Sequence, residues 1–315
     1  ALLLHCVYLF ISLQLRYMEY IKHFLETKDS HSLCLVEIPP DTEEASLKRP
    51  ILFIHGAIES GRVFYNDKGL GIAPFLSSLG FPCYILDMRG RGQSRPSLSS
   101  ESSFSQREIF NYDIPDAINF IKKKHNREIN VVTHSWGGVL INSFLLRHID
   151  HSKMIKSIVH LAAKRRVGVI NLHRIFHIDI IWLLFGSLMI ALKGYLPAGL
   201  IGPDGESRGT LRDSQKWVYS KKWKDKEFDY HEQVMKIKLP RSLYLTGARD
   251  LSMGHYKDVC EFALESGHTL NDVELLSKEN GNKEDYDHLS ILLSKKAPKD
   301  HFKRIYEFFN DEYES

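Results

Sequence analysis

The sequence predicts an α/β fold: a doubly wound, mostly parallel sheet covered by helices on both faces, with an inserted helical cap. Three observations lead there. Short apolar, β-branched runs alternate with helical patterns up to residue 163, the alternation stops between residues 164 and 235, and it resumes afterwards. Strands joined by crossover helices run parallel, and a parallel sheet needs both faces covered. The chain therefore divides into an apolar, helical N-terminal extension (1–30), a first core segment (31–163), a cap (164–235) and a second core segment (236–315).

The elements follow in order. Ser32–Ile38 (SLCLVEI) suits a strand, and Pro50 introduces ILFIH, a second strand closed by the sharp-turn pair His55-Gly56. A helix over Ile72–Leu79 ends at Gly80, and PCYILD (82–87) is a buried strand leading into the Gly-rich turn RGRGQS. Ser105-Gln106-Arg107-Glu108 is a capping box that starts a long helix, which Pro115 should kink. Ile129–Thr133 is a strand, Trp136–His148 a helix and Ile155–Ala162 a strand. After the cap come the strand of RSLYLTGARD, a helix through Val259–Glu265, a strand over Val273–Leu276 and a helix over Lys299–Phe309.

Composition narrows the function classes. Hydrophobic residues make up 43% of the 315 positions and charged residues 26%, which excludes disordered and fibrous chains. A net charge of +3 with scattered lysines gives no footprint for nucleic acid. The wide spacing of Cys6, Cys34, Cys83 and Cys260 fits neither a zinc site nor a small disulfide scaffold, so free thiols and a cytoplasmic setting are expected, with one or two bridges in a secreted enzyme as the alternative. Ala1–Leu15 is apolar but short for a membrane span, and reads as a helix packed on the domain or as an interfacial anchor.

The sharpest chemical signal is Thr133-His134-Ser135-Trp136-Gly137, between a strand and a helix. A serine there sits on a tight turn that lifts its hydroxyl above the sheet edge, and Gly137 and Gly138 let strand and helix approach. The helix start favours a developing oxyanion. Such a serine needs a base, and the base needs an orienting acid. Asp250 closes LYLTGARD at the C-terminal end of a strand, and His288 follows the last strand in EDYDHLSIL. Among 16 histidines, His288 is preferred by position over His255, His268 and His301. Asp285 and Asp287 lie too close to His288 in sequence to orient it. Backbone N–H groups of Ala57, in the His55-Gly56-Ala57-Ile58 turn, and of Trp136 would form the oxyanion hole.

These segments together (ILFIHGA, ILDMRGRGQS, THSWGG, LTGARD and YDHLSIL) resemble the α/β-hydrolase superfamily in order and spacing, over Pro50–Ala162 and Leu239–Phe309. The resemblance implies an eight-stranded sheet with a lid after the sixth strand, and makes RGRGQS a structural turn beside the active site. Two departures stand out: Thr133 occupies the place of the usual first glycine, and in the lipase-like tail Asp287 and Ser290 replace a Gly and an Asp. RGRGQS lacks the spacing of a nucleotide loop, no cluster has metal-ligand spacing, and no cofactor or metal is implied.

The cap holds Ile180–Leu192 (IIWLLFGSLMIAL), which suits a buried helix or a greasy wall for an acyl chain. Ile58, Trp182, Phe185 and Met189 are candidates to line that pocket. The expectation is a serine hydrolase cleaving lipid-like or medium-chain carboxylic esters. Its alternatives are an acyltransferase or thioesterase on the same triad, or a non-enzymatic lipid-binding protein. The expected partners are a small-molecule or lipid ester and, through the apolar N-terminus or the cap, a membrane surface. The sequence does not speak to oligomeric state.

Overall fold

The computed structural model describes residues 20–40 and 48–311. Eight strands form one sheet: β1 (Ile21–Glu26), β2 (Ser32–Ile38), β3 (Ile51–Ile54), β4 (Cys83–Leu86), β5 (Ile129–His134), β6 (Ile155–Leu161), β7 (Arg241–Gly247) and β8 (Val273–Leu276). Their spatial order is β1-β2-β4-β3-β5-β6-β7-β8. β1 and β2 are antiparallel to their neighbours, and the pairs from β4 to β8 are parallel.

The helices that cover this sheet begin with α1 (Ile72–Ser78). Next is α2, which runs through Gln106–Glu108, a π-wound turn Ile109–Asp113 and Ile114–His125. Pro115 produces no break. It falls in the first turn after the π-wound stretch, where its missing N–H and ring are accommodated. The capping box is present, with Ser105 Oγ accepting from Arg107 N–H and Glu108 accepting from Ser105 N–H. The remaining core helices are α3 (Trp136–Arg147) and, beyond the cap, α7 (Tyr256–Glu265) and α8 (His301–Asn310); the cap contributes α4 (Leu172–Lys193), α5 (Arg208–Tyr219) and α6 (Tyr230–Val234).

Two cores follow from strand alternation. Leu52 and Ile54 point to the face covered by α2, α3 and α7, where they meet Ile118, Val139 and Phe262. Ile51 and Phe53 point to the opposite face, covered by α1 and α8, with Leu76, Phe302 and Ile305. Complete burial of each such side chain is worth about 1.5–3 kcal/mol, so both faces hold the sheet rigid under the site.

One element differs from the sequence reading. A helical extension is suggested over 1–30, but Ile21–Glu26 form an edge strand; residues 1–19 lie outside the described residues. Its partner β2 lies a five-residue loop away, and Ser30 (φ 65°) tightens that loop with Ser30 N–H donating to Thr27 O at 3.0 Å. The polar turn Thr27-Lys28-Asp29-Ser30 favours a hairpin, and the hairpin decides the conformation of the preceding residues.

Residues 164–235 contribute no strand to the sheet. Within the cap, α4 and α5 lie against each other: Gln215 Nε2 donates to Trp182 O at 2.7 Å, and a side chain at Gly186 would meet Leu211.

Candidate active site

Ser135 stands between β5 and α3 at φ 51° and ψ −125°, a region L-residues seldom occupy. Buried glycines allow it. A Cβ on Gly56 would lie 2.9 Å from Ser135 Cβ, and one on Gly137 would lie 2.6 Å from His55 O. The loop after β3 and the start of α3 thus pass within van der Waals contact of the serine turn. Thr133, in place of a glycine, is tolerated because its Oγ1 lies 3.0 Å from His160 Nδ1, inside the sheet.

Asp250 and His288 come together as the sequence suggests. Asp250 follows β7, and its Oδ2 accepts from His288 Nδ1 at 2.6 Å, which leaves Nε2 as the nitrogen free for a substrate reaction. Burial pushes the Asp250 carboxyl up, but the His288 ring, the Gly254 backbone and Lys164 outweigh it and hold the carboxyl below its ordinary range. Lys164 is itself buried, donating to Ser252 O at 2.6 Å and to Asp258 at 3.3 Å. Between Ser135 Oγ and the His288 ring no hydrogen bond forms among the described residues. Asp287 and Asp285 serve turns instead, accepting from Ser290 N–H and Lys278 N–H at 2.8 Å. His301 is a buried core residue donating to Ile291 O, His268 contacts Tyr244 and Pro240, and His255 caps α7.

The sequence gives no warning of a second pair beneath these residues. Glu59 and His134 are both buried, with Glu59 Oε2 2.9 Å from His134 Nδ1. The same carboxylate accepts from Gly56 N–H at 2.9 Å, and His134 Nε2 donates to His288 O at 2.9 Å. Both ring nitrogens of His134 face acceptors, which requires the doubly protonated imidazolium. Burial opposes charging at each group; the mutual attraction and hydrogen bonds win, lowering Glu59 to about 2 and raising His134. The rings of His134 and His288 lie 4.7 Å apart. One buried pair therefore fastens the loop after β3, the serine turn and the loop carrying His288. Ligand-type atoms of Glu59, His134 and His288 fall within 4.8 Å of one another, but His134 has both nitrogens committed and offers no lone pair to an ion in this state.

Ala57 N–H and Trp136 N–H donate to no group among the described residues, and both residues line a small cavity of about 10 Å³ with Gln106, Leu140, Glu206 and Thr210. Such a space holds about one water molecule. His55 is kept neutral by burial, its pKa lowered to about 4, with Nδ1 donating to Gly56 O and Nε2 accepting from Met88 N–H. That fixes the turn preceding Ala57. The RGRGQS turn braces this loop as well: Asp87 accepts from Gly61 N–H and Gln93 N–H at 2.8 Å each.

The cap closes over this region. Ile58, Trp182, Phe185 and Met189, scattered in sequence, pack into one cluster with Ile190, Leu196 and Leu211. Glu206 of the cap, fully enclosed, accepts from Ile58 N–H at 2.9 Å and from Thr210 Oγ1 at 2.5 Å, and is paired with Arg91. Ile58 carries a positive φ of 52°, so the residue beside Ala57 is strained and held by a cap carboxylate.

The comparisons with known proteins agree with this geometry. A family model described as the alpha/beta hydrolase fold matches residues 49–179. Human lysosomal acid lipase/cholesteryl ester hydrolase is 32% identical over 127 residues, covering 37% of this chain and 32% of that protein. Rat gastric triacylglycerol lipase is 33% identical over 122 residues, covering 35% and 31%. The chain thus spans about a third of the length of these curated relatives. A soluble variant of monoglyceride lipase from Saccharomyces cerevisiae superposes with a TM-score of 0.66 at 15% identity, over 95% of this chain and 96% of that one. With its sheet order, its serine turn after β5 and this matched segment, the chain has the α/β-hydrolase fold.

Proposed function

We propose that the protein is a serine-dependent hydrolase of carboxylic esters, acting on lipid-like or medium-chain acyl substrates through an acyl-enzyme on Ser135. The observation that carries the reading is the buried Asp250–His288 hydrogen bond, held to the serine turn by His134. Asp250 fixes the tautomer with Nδ1 protonated, so Nε2 is the basic nitrogen. As Ser135 Oγ attacks the ester carbon, Nε2 takes its proton, and the Ala57 and Trp136 N–H groups receive the oxyanion. The imidazolium then protonates the leaving alcohol, and a water molecule repeats the sequence to release the acid. The absent Ser135–His288 hydrogen bond is compatible with this route, because such contacts commonly tighten only with substrate.

The apolar cluster of Ile58, Trp182, Phe185 and Met189 supports an acyl chain as the group bound. The lipases among the relatives support the same substrate class. The test combines fluorophosphonate labelling, read by intact mass, with 4-nitrophenyl esters of rising chain length. Stoichiometric labelling lost in Ser135→Ala, with turnover favouring medium chains, is the expected result. No adduct on folded protein would move the reading to a lipid-binding protein on this scaffold.

A further inference from the structure

α4 is the one helix among the described residues that is long and apolar enough to cross a membrane, and little of it is covered. Over its most apolar 18 residues the mean hydropathy reaches 2.1, yet only 17% of that stretch is buried. The exposed side chains are ordered. Leu172, Phe176, Ile180, Leu184, Leu188 and Leu192 recur every four residues, and each exposes between 44% and 82% of its surface. In a regular α-helix a four-residue repeat drifts around the axis, because a turn takes 3.6 residues. Here the middle of α4, Ile175–Phe185, is π-wound, and its looser winding drifts the other way. The two drifts offset one another, so the six side chains form one lengthwise stripe. The opposite side of the helix is occupied: Trp182, Phe185 and Met189 face the inner cluster, and Gln215 holds Trp182 O.

The charge of the molecule is gathered in the same place. Residues 164–235 contain twelve Lys and Arg against eight Asp and Glu, a net charge of +4 where the whole chain carries +3. Exposed cations stand at the end of α4 and on and after the neighbouring α5. Lys193 ends α4, Arg212 and Lys216 lie on α5 beside the row Leu211, Gln215 and Tyr219 that meets α4, and Lys221 and Lys222 follow α5. None of these five is in an ion pair among the described residues. Apolar side chains projecting from a surface with unpaired cations nearby match the layering of an anionic lipid leaflet, acyl chains below and negative headgroups above. A second copy of this chain would instead bring a net charge of +4 against +4.

We propose that α4 docks the protein onto an anionic lipid surface, lying in the plane of the interface with the six-residue stripe among the acyl chains. The helix lies flat and does not cross the leaflet, because its inner side stays packed on Ile58, Leu196 and Leu211. The inference deepens the ester-hydrolase reading by naming where its substrate would be met, but it is tested without catalysis.

The experiment is flotation of the full chain with vesicles of phosphatidylcholine alone and with 30–40% phosphatidylserine, the latter an approximate working range of anionic lipid. The protein should float with the anionic vesicles, and added salt should weaken the binding. Leu184→Asp with Leu188→Asp should reduce binding on the order of a hundredfold, since two leucines no longer leave water. Lys193→Glu with Lys216→Glu should reduce it on the order of tenfold or more. Circular dichroism and fluorophosphonate labelling of Ser135 in the same variants separate loss of docking from loss of folding or of the catalytic reading. Flotation that is absent, or that is unchanged in the leucine variant, overturns the proposal. A wild-type dimer in light scattering that the leucine variant dissociates also overturns it, and assigns the stripe to a second copy.

Discussion

His134 and Glu59 form an ion pair at 2.9 Å with neither side chain reached by solvent to any useful degree, next to Ser135 and bonded to the backbone of His288. The pair joins three segments that the chain delivers from β3, β5 and the region after β8. Removing either partner leaves the other charge buried and unmatched, which typically costs about 3–5 kcal/mol.

Stability should therefore depend on pH in a particular way. Glu59 is lowered to about 2 in the folded state, so its contribution is present above the ordinary carboxylate range and is lost as pH falls toward 2. His134 is raised, so its contribution is complete below the ordinary histidine value and is lost as pH rises through the folded one. The melting-temperature difference between wild type and Glu59→Gln should be widest between about pH 4.5 and 6.5, on the order of 10 °C. Differential scanning fluorimetry across pH 3–9 (an approximate span chosen to bracket both groups) reads this directly. A difference that does not vary with pH would show that the pair is not charged.

Asp250→Asn should preserve the fold and lose activity. The amide can still accept or donate toward His288 Nδ1, but it stabilises neither the required tautomer nor the imidazolium, and kcat should fall by about 10⁴. Steady-state kinetics on a soluble ester, with the melting temperature as control, separates this from unfolding. An activity within about tenfold of wild type would remove Asp250 from the triad.

Gly137→Ala should be more damaging than its size suggests. Its new methyl group would meet the backbone oxygens of Ile54 and His55, which cannot swing aside as a side chain can. Forcing α3 away from β3 should cost about 1–3 kcal/mol and displace the Trp136 N–H with it. Both melting temperature and fluorophosphonate labelling rate should fall; retention of the labelling rate would mean that α3 can shift without disturbing Ser135.

Trp182→Ala, in the cluster shared with Ile58 and Met189, should move the preferred ester chain length upward by opening space at the inner surface of α4. The ratio of kcat/KM for a long and a medium 4-nitrophenyl ester checks it. An unchanged ratio would place the acyl chain elsewhere.

The strands and core helices were legible because each rests on local pattern: β-branched runs such as ILFI and CYIL, and turn residues at their ends. The meeting of Asp250 with His288, and the turn at Ser135, were legible because strand ends and turn chemistry mark those positions. β1 was not, since its conformation is imposed by β2 after the hairpin closes. His134 lies inside THSWGG and Glu59 directly follows the His55–Ile58 turn, yet their pairing needs β3 and β5 side by side, which single-chain spacing does not encode. Glu206 is separated from Ile58 by 148 positions, and its role exists only once the cap has folded back.

That last contact bears on how such a fold could change over time. Glu206 belongs to the cap, yet it satisfies the strained residue next to Ala57 and the buried guanidinium of Arg91, both in the core. A cap borrowed from another protein of this fold would arrive without that carboxylate and would leave an orphaned cation under the new roof. Lineages that exchange caps freely must keep their seams neutral. This one has riveted its roof to the wall, so a graft would take only if Arg91 were replaced in the same step, and inheritance here should carry residues 91 and 206 as a single trait.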